Sequence, residues 1–257
     1  LPQLSQLQEE FYPFYVFTAV RKFFFFLDQK QRGRISLQDL LSSAILHELL
    51  ELRRPDVTRD ELRQNWFSLD YAEMLYSDYL DLDADQNGML SAQELQYFIG
   101  GATPGGGLTL PFVQRVFQEY QTYRNKETGQ SEIDYKAYLE FVLAFSYKSS
   151  PEALIYFFRL LDLRRLGGLT TFEISYFFRA VIEKFYEIGE EPNVRVEDVR
   201  NEIFDMVKPA DPNVITLKDL LECKVGDTVV GMLTDAYAFY AYDRREEILP
   251  PDDPALM

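Results

Sequence analysis

Asp83-Ala84-Asp85-Gln86-Asn87-Gly88-Met89-Leu90-Ser91-Ala92-Gln93-Glu94 decides how the rest of the chain is read. Asp83, Asp85 and Asn87 place side-chain oxygens at the first, third and fifth positions of a twelve-residue loop. Gly88 stands sixth, where the turn needs backbone angles that a side chain resists. Met89, seventh, offers only its backbone carbonyl. Ser91, ninth, reaches an ion directly or through water, and Glu94, twelfth, clamps it with both carboxylate oxygens. This is the EF-hand pattern for calcium, a hard cation that prefers oxygen ligands. Three formal acids and a neutral Asn87 predict sensor-range or weaker affinity, roughly 10⁻⁷ to 10⁻⁴ M.

Laid along the chain, the loop finds relatives. The apolar eighth position, which joins paired loops through a short β-bridge, recurs as Ile35, Leu90, Ile133, Leu169 and Ile215. An aromatic four residues before the loop and an aliphatic residue just before it recur as Phe24/Leu27, Tyr79/Leu82, Phe158/Leu161 and Phe204/Val207. That spacing places both on one face of an entering helix. Ser36-x-x-Asp39, Ser91-x-x-Glu94, Thr170-x-x-Glu173 and Thr216-x-x-Asp219 repeat as capping boxes for the exiting helices.

The ligands do not recur. Asp28–Asp39 has Lys30, Arg32 and Arg34 where oxygens are needed, and the fifth loop, from Lys208, offers Ala210 and Pro212. Asp162–Glu173 keeps both end acids but has Arg164 and Leu166 between them, with Arg164 beside the ion position. The third copy, Lys126–Ala137, fits with a loop about two residues longer and Tyr120/Tyr123 as its upstream pair. One calcium site is therefore expected, held by Asp83, Asp85, Asn87, Met89, Ser91 and Glu94. Hands two and three should pair, as should four and five, leaving the first odd.

The predicted fold is all-α: tandem EF-hand-like helix-loop-helix repeats in an elongated two-lobed arrangement. Gly100–Gly107 reads as a flexible breaker, lacking the Lys-Ser/Thr ending of a phosphate loop. Ser150-Pro151 caps a new helix and sets a boundary near Lys148. The expected units are an N-terminal lobe, 1–148, with the intact loop and a C-terminal lobe, 149–257, with degenerate ones. The aromatic stripes Phe23–Phe26, Tyr156–Phe158 and Tyr176–Phe178 are expected in the core, as is an inert Cys223.

Composition narrows the function. Against 26 Lys and Arg stand 42 Asp and Glu, a net charge of −16, which disfavours nucleic acid and anionic membranes as partners. One Cys (Cys223) and one His (His47) exclude an internal disulfide and a zinc cluster, and leave little for His-based catalysis. Phe11–Val20 is too short and too interrupted to span a bilayer. With no leader visible, a cytoplasmic location is expected. Leu1 in place of an initiator Met suggests a fragment of something longer.

Tyr79–Ser91, Asp134–Ala144, Tyr176–Ala180, Glu202–Pro209 and Gly226–Val229 carry a further likeness. Through them the chain resembles the B-double-prime (B'') regulatory subunits of protein phosphatase 2A, nearest the gamma or FASS type, from about Phe23 to Leu249. Glu202-Ile-Phe-Asp-Met-Val-Lys-Pro209 is the most distinctive, since no generic EF-hand needs it. The resemblance implies a helical EF-hand subunit with no catalysis of its own that binds the phosphatase scaffold and catalytic subunits and directs substrate choice and location. It also implies centrosomal or microtubule-associated partners and a place at the centrosome or cortical microtubules. The residues read alone leave open a stand-alone calcium sensor or cytoskeletal adaptor, whether calcium regulates or only stabilises, and whether Asp162–Glu173 takes a second ion.

Overall fold

The computed structural model describes residues 4, 7–98, 106–190 and 192–245. Gly100–Gly105 of the expected breaker lie outside them, as do Glu191 and the Asp252-Asp253 pair, acids whose sequence context reads as solvated charge. The architecture is all-α, as the repeats require: among the described residues, fourteen α-helices are joined by loops and five strands of two or three residues. Among the described residues, no helix is long and apolar enough to cross a membrane.

The chain sorts into two compact units, Leu1–Glu94 with Tyr120–Tyr147, and Leu95–Glu119 with Lys148–Met257. A division falls between Tyr147 and Lys148, near the expected boundary, but Leu95–Glu119 groups with the later sequence and not with the N-terminal lobe. Backbone pairing explains why. Leu108 bridges Asp235, the Thr109 amide donates to the Thr234 carbonyl at 3.1 Å, and the Ala236 amide donates to Gly107 at 2.9 Å. A Cβ on Gly107 would lie 2.1 Å from the Asp235 carboxylate, so glycine is required for this approach. Arg115 adds a buried bond, its Nε donating to the Leu160 carbonyl at 3.0 Å.

In the first unit, α1 (Tyr12–Leu27) packs against α5 (Leu69–Leu82) and α8 (Tyr135–Ser146). After the first loop the exit helix breaks at Ser43 into α2 (Leu37–Ser42) and α3 (Ala44–Glu51), since Ser43 is extended and its Oγ caps the Leu46 amide. α4 (Arg59–Gln64) follows, opened by a Thr58/Glu61 capping box that the repeat did not reveal. Phe23–Phe26 are only half-buried, whereas the adjoining Lys22 is wholly buried. Its ammonium donates to Glu48 and Tyr147, each at 2.5 Å, and faces the rings of Trp66, Phe67 and Tyr147. Burial pulls the Lys22 pKa down and Glu48 opposes it. The expected stripe is therefore partly displaced from the core by a charged group that aromatic faces and one carboxylate make tolerable.

In the second unit, α7 (Leu110–Glu119) and α9 (Pro151–Leu161) pack together. The central α10 (Thr171–Glu187) contacts α7, α11 (Val196–Val207), α13 (Gly226–Thr234) and α14 (Ala236–Asp243). α12 (Leu217–Glu222) ends at Cys223, which is half-buried rather than buried; its thiol donates to the Leu220 carbonyl at 3.3 Å. Tyr156, Phe157, Phe158, Phe177 and Phe178 are core, while Tyr176 is exposed.

The loops pair as the eighth positions predict. β1 (Leu90–Ser91), leading into the short α6 (Ala92–Leu95), runs antiparallel to β3 (Ser131–Ile133), with Leu90 opposite Ile133. β4 (Gly168–Thr170) runs antiparallel to β5 (Val214–Thr216), with Leu169 opposite Ile215. All four residues are buried; Ile35 of the odd hand is half-buried and belongs to no strand. The third hand departs from expectation. α7 stops at Glu119, and Tyr123 lies in β2 (Tyr123–Arg124), paired with β3, so Tyr120 and Tyr123 share no helical face. Asn125 makes the hairpin: its side-chain oxygen accepts from the Glu127 and Thr128 amides, and its own backbone amide donates to the Gln130 carbonyl at 2.9 Å.

Candidate metal centre

Asp83 caps α5 and starts the loop. One carboxylate oxygen accepts from the Asn87 amide at 3.0 Å and the other from the Gly88 amide at 2.8 Å. Gln86 (φ 57°) and Gly88 (φ 80°) take left-handed angles, so the chain turns sharply and brings the third and fifth positions back over the first. Nothing lies within 4 Å of a Cβ built on Gly88; the angle, not crowding, demands glycine. Tyr79 reaches in from α5, its hydroxyl donating to the Gly88 carbonyl at 2.8 Å. The aromatic that the repeat places on the entering helix thus also pins the turn.

The predicted ligands come together in part. Asp83, Asp85 and Glu94 each offer a carboxylate oxygen, all within 4.8 Å of one another, the one such acid cluster found among the described residues. Glu94 leans across the loop: one oxygen accepts from the Ala84 amide at 2.9 Å, the other from the Ser91 amide and hydroxyl, each at 2.8 Å. Ser91 in turn caps the Glu94 amide at 3.3 Å, so its hydroxyl serves the helix start as well. Asn87 is turned differently from a simple ligand. Its Oδ1 accepts from the Met89 amide at 2.8 Å, and its Nδ2 donates to Asp85 and Glu132. Met89 is half-buried at the seventh position, between the Gly88 turn and β1.

Glu132 escaped the sequence reading. It is buried opposite Ser91 in the β1–β3 pair and accepts from Asn87 at 3.0 Å and from Asn125 at 2.7 Å. This carboxylate ties the partner hairpin to the loop's fifth position. Its only sequence signal was position, one residue before the recurring Ile133.

The donor set fits a hard divalent cation. Every candidate ligand atom is oxygen, and three acids crowd one spot. Asp83 reports the strain. Burial, then the proximity of Asp85 and Glu94, hold its carboxyl above the usual range despite two backbone amides that favour the charge. A cation would reverse that balance.

The chain is 47% identical over 252 residues to the gamma-type B'' regulatory subunit of serine/threonine-protein phosphatase 2A from Xenopus tropicalis, covering 98% of this chain and 54% of that one. The human gamma-type protein matches equally, at 47% over 252 residues and 53% of its length. Over this span the chain resembles the B'' regulatory subunits. An Arabidopsis thaliana protein named as a probable B'' regulatory subunit, TON2, is 44% identical over 256 residues, covering 97% of this chain and 52% of its own. The chain thus spans about half the length of the curated B'' relatives it matches, and those relatives are named regulatory subunits. A solved structure named as a PP2A PR70 holoenzyme, designated diCa, aligns with a TM-score of 0.73 at 22% identity, covering 92% of this chain and 84% of that one. That likeness shows the fold. No protein-family model matches the chain.

Proposed function

We propose that this chain is the EF-hand part of a non-catalytic regulatory subunit of a phosphatase 2A holoenzyme. In this reading it binds the scaffold and catalytic subunits and governs which substrates are dephosphorylated and where. The observation that carries it is the 47% identity running through 98% of the chain to subunits named for that role. A non-catalytic role fits a composition with one His and one Cys, which leaves little for His- or Cys-based catalysis.

Calcium is proposed at one site, with side-chain oxygens of Asp83, Asp85, Asn87, Ser91 and Glu94 and the Met89 carbonyl. Bound there, the ion would supply the positive charge that joins acids from both ends of the loop. The protein's own part is to hold those ends in place, through the Asp83 cap, the Tyr79–Gly88 bond and the Leu90–Ile133 pair. Fixing the loop fixes the angle between α5 and α6, which is how calcium would tune an interface. A cytoplasmic setting at the centrosome or cortical microtubules belongs to the same proposal and rests on the family resemblance alone.

Affinity purification of the tagged chain, followed by mass spectrometry, tests the central reading. Scaffold and catalytic subunits should co-purify with it in near-equal amounts. Their absence from the eluate, with calcium-dependent capture of other proteins instead, would replace it with a stand-alone sensor or adaptor.

A further inference from the structure

Asp162–Glu173 has the backbone of the candidate calcium loop and a different centre. Asp162 accepts from the Leu166 amide at 3.0 Å and the Gly167 amide at 2.7 Å, as Asp83 does from Asn87 and Gly88. Arg165 (φ 53°) and Gly167 (φ 77°) repeat the left-handed angles of Gln86 and Gly88. One Glu173 oxygen accepts from the Thr170 amide at 2.9 Å and hydroxyl at 2.5 Å, matching Glu94 with Ser91. The divergence lies at the third position. There Arg164 sends Nε to Glu173 Oε1 at 2.7 Å and a terminal nitrogen to Oε2 at 3.1 Å, and that nitrogen also donates to Thr170 Oγ1 at 2.8 Å.

We propose that Arg164 is a built-in cation: its guanidinium takes the place of a divalent ion in this hand, which therefore stays closed without metal, over a latent site. The geometry favours arginine for the role. A planar fork meets a carboxylate with two parallel bonds, which a point charge cannot do. The Glu173 side chain is 1% exposed, so its charge needs a partner in place. The guanidinium also lies 4.9 Å from the centre of the Phe172 ring. Asp162, at the other end of the loop, adds a second negative charge near the guanidinium.

The consequence reaches the neighbouring hand. Leu169 pairs with Ile215, so the fifth loop is joined to a loop that needs no ion, and its own Ala210 and Pro212 offer no ligands. Calcium dependence is then confined to the hand of Asp83–Glu94. This inference does not rest on the phosphatase reading.

The test uses the full chain carrying Glu94→Gln, with calcium chloride as probe, followed by calorimetry and thermal unfolding. The Glu94→Gln parent should show no calcium response from the fourth loop. Adding Arg164→Asp and Leu166→Asn, which copies Asp85 and Asn87, should create one calcium site. Saturating calcium should then raise its melting temperature by roughly 5 °C. If that variant does not fold alone, calcium should restore its helical circular dichroism. No gain in stability and no recovery at millimolar calcium overturns the proposal. So does calcium binding by the parent that Glu173→Gln abolishes. Binding that Glu173→Gln leaves untouched counts as evidence for the parent's closed fourth loop, and instead revises the ligand assignment at Asp83–Glu94.

Discussion

Loops 83–94 and 162–173 are two answers to one electrostatic problem. Each carries an acid at both ends, and each folds by the same backbone logic: a buried first aspartate, a left-handed fourth residue and a left-handed glycine. The first loop, 28–39, shares it, with Asp28 accepting from Arg32 and Gly33, and with Gln31 and Gly33 at φ 51° and 70°. The backbone form is therefore independent of the ligands, which explains how the framework persists where binding residues are gone. What differs is the charge at the centre. In 83–94 three acids converge and Asp83 is hard to ionise; in 162–173 an arginine meets the closing glutamate. The contrast teaches that losing a calcium site need not leave a hole, because one long cationic side chain can close the same loop.

The sharpest way to break the comparison is Glu94→Gln. If the closing acid of 83–94 waits for an ion, this change should weaken calcium binding on the order of 100-fold, measured by calorimetry. Unchanged binding would remove the distinction between the loops.

A smaller effect separates them in acid. Burial works against ionising Glu173, yet the bonds from Arg164 and from the Thr170 hydroxyl and amide overcome it and hold its pKa below the usual 4.5. A depressed value in the fold means that stability is present above 4.5 and lost as pH falls through the lowered value. Glu173→Gln should thus cost about 2 kcal/mol at pH 7, discounted from a fully buried pair because Arg164 is 45% exposed. The gap between variant and parent should close as the pH drops below 4.5, as read by denaturant unfolding at each pH. A gap constant down to about pH 3, past the usual carboxylate range, would mean that the guanidinium contributes packing, not charge.

How much of this was legible in the sequence follows from what each signal depends on. The eighth-position pairs, Leu90–Ile133 and Leu169–Ile215, were readable because a β-bridge between paired loops leaves one buried apolar residue at a fixed offset. Helix starts were readable at Ser36, Thr170 and Thr216, since capping is local. The third hand was not, because Asn125 builds a hairpin whose partner strand, β3, also serves β1. The grouping of Leu95–Glu119 with later sequence depends on long-range bonds, Thr109 to Thr234 and Gly107 to Ala236, that no local pattern announces. Lys22 misled for a related reason: a stripe of phenylalanines predicts a buried face, but Glu48, Tyr147 and Trp66, distant in sequence, decided which side chain went inside. At the metal centre the acids were legible and Glu132 was not, since its role exists only across the β1–β3 pair.

The finest difference between the two loops lies just upstream of them. Tyr79 and Phe158 occupy the same place, four residues before the loop, and both are buried. Only Tyr79 has a hydroxyl, and it donates to the carbonyl of Gly88, the residue that makes the turn. Because Phe158 lacks that atom, the 162–173 turn stands without such a pin, and the Arg164–Glu173 pair holds that loop from its other side. Tyr79→Phe would give loop 83–94 the upstream residue of its counterpart without supplying its cation. The expected cost is about 1 kcal/mol of stability, the ordinary net worth of one hydrogen bond. Calcium affinity should fall only a few-fold, because none of the candidate ligand atoms is removed. Calorimetry and thermal unfolding on the same sample read both. A loss of calcium binding as deep as that of Glu94→Gln would show that the turn, and not the acid cluster, sets the difference between the loops.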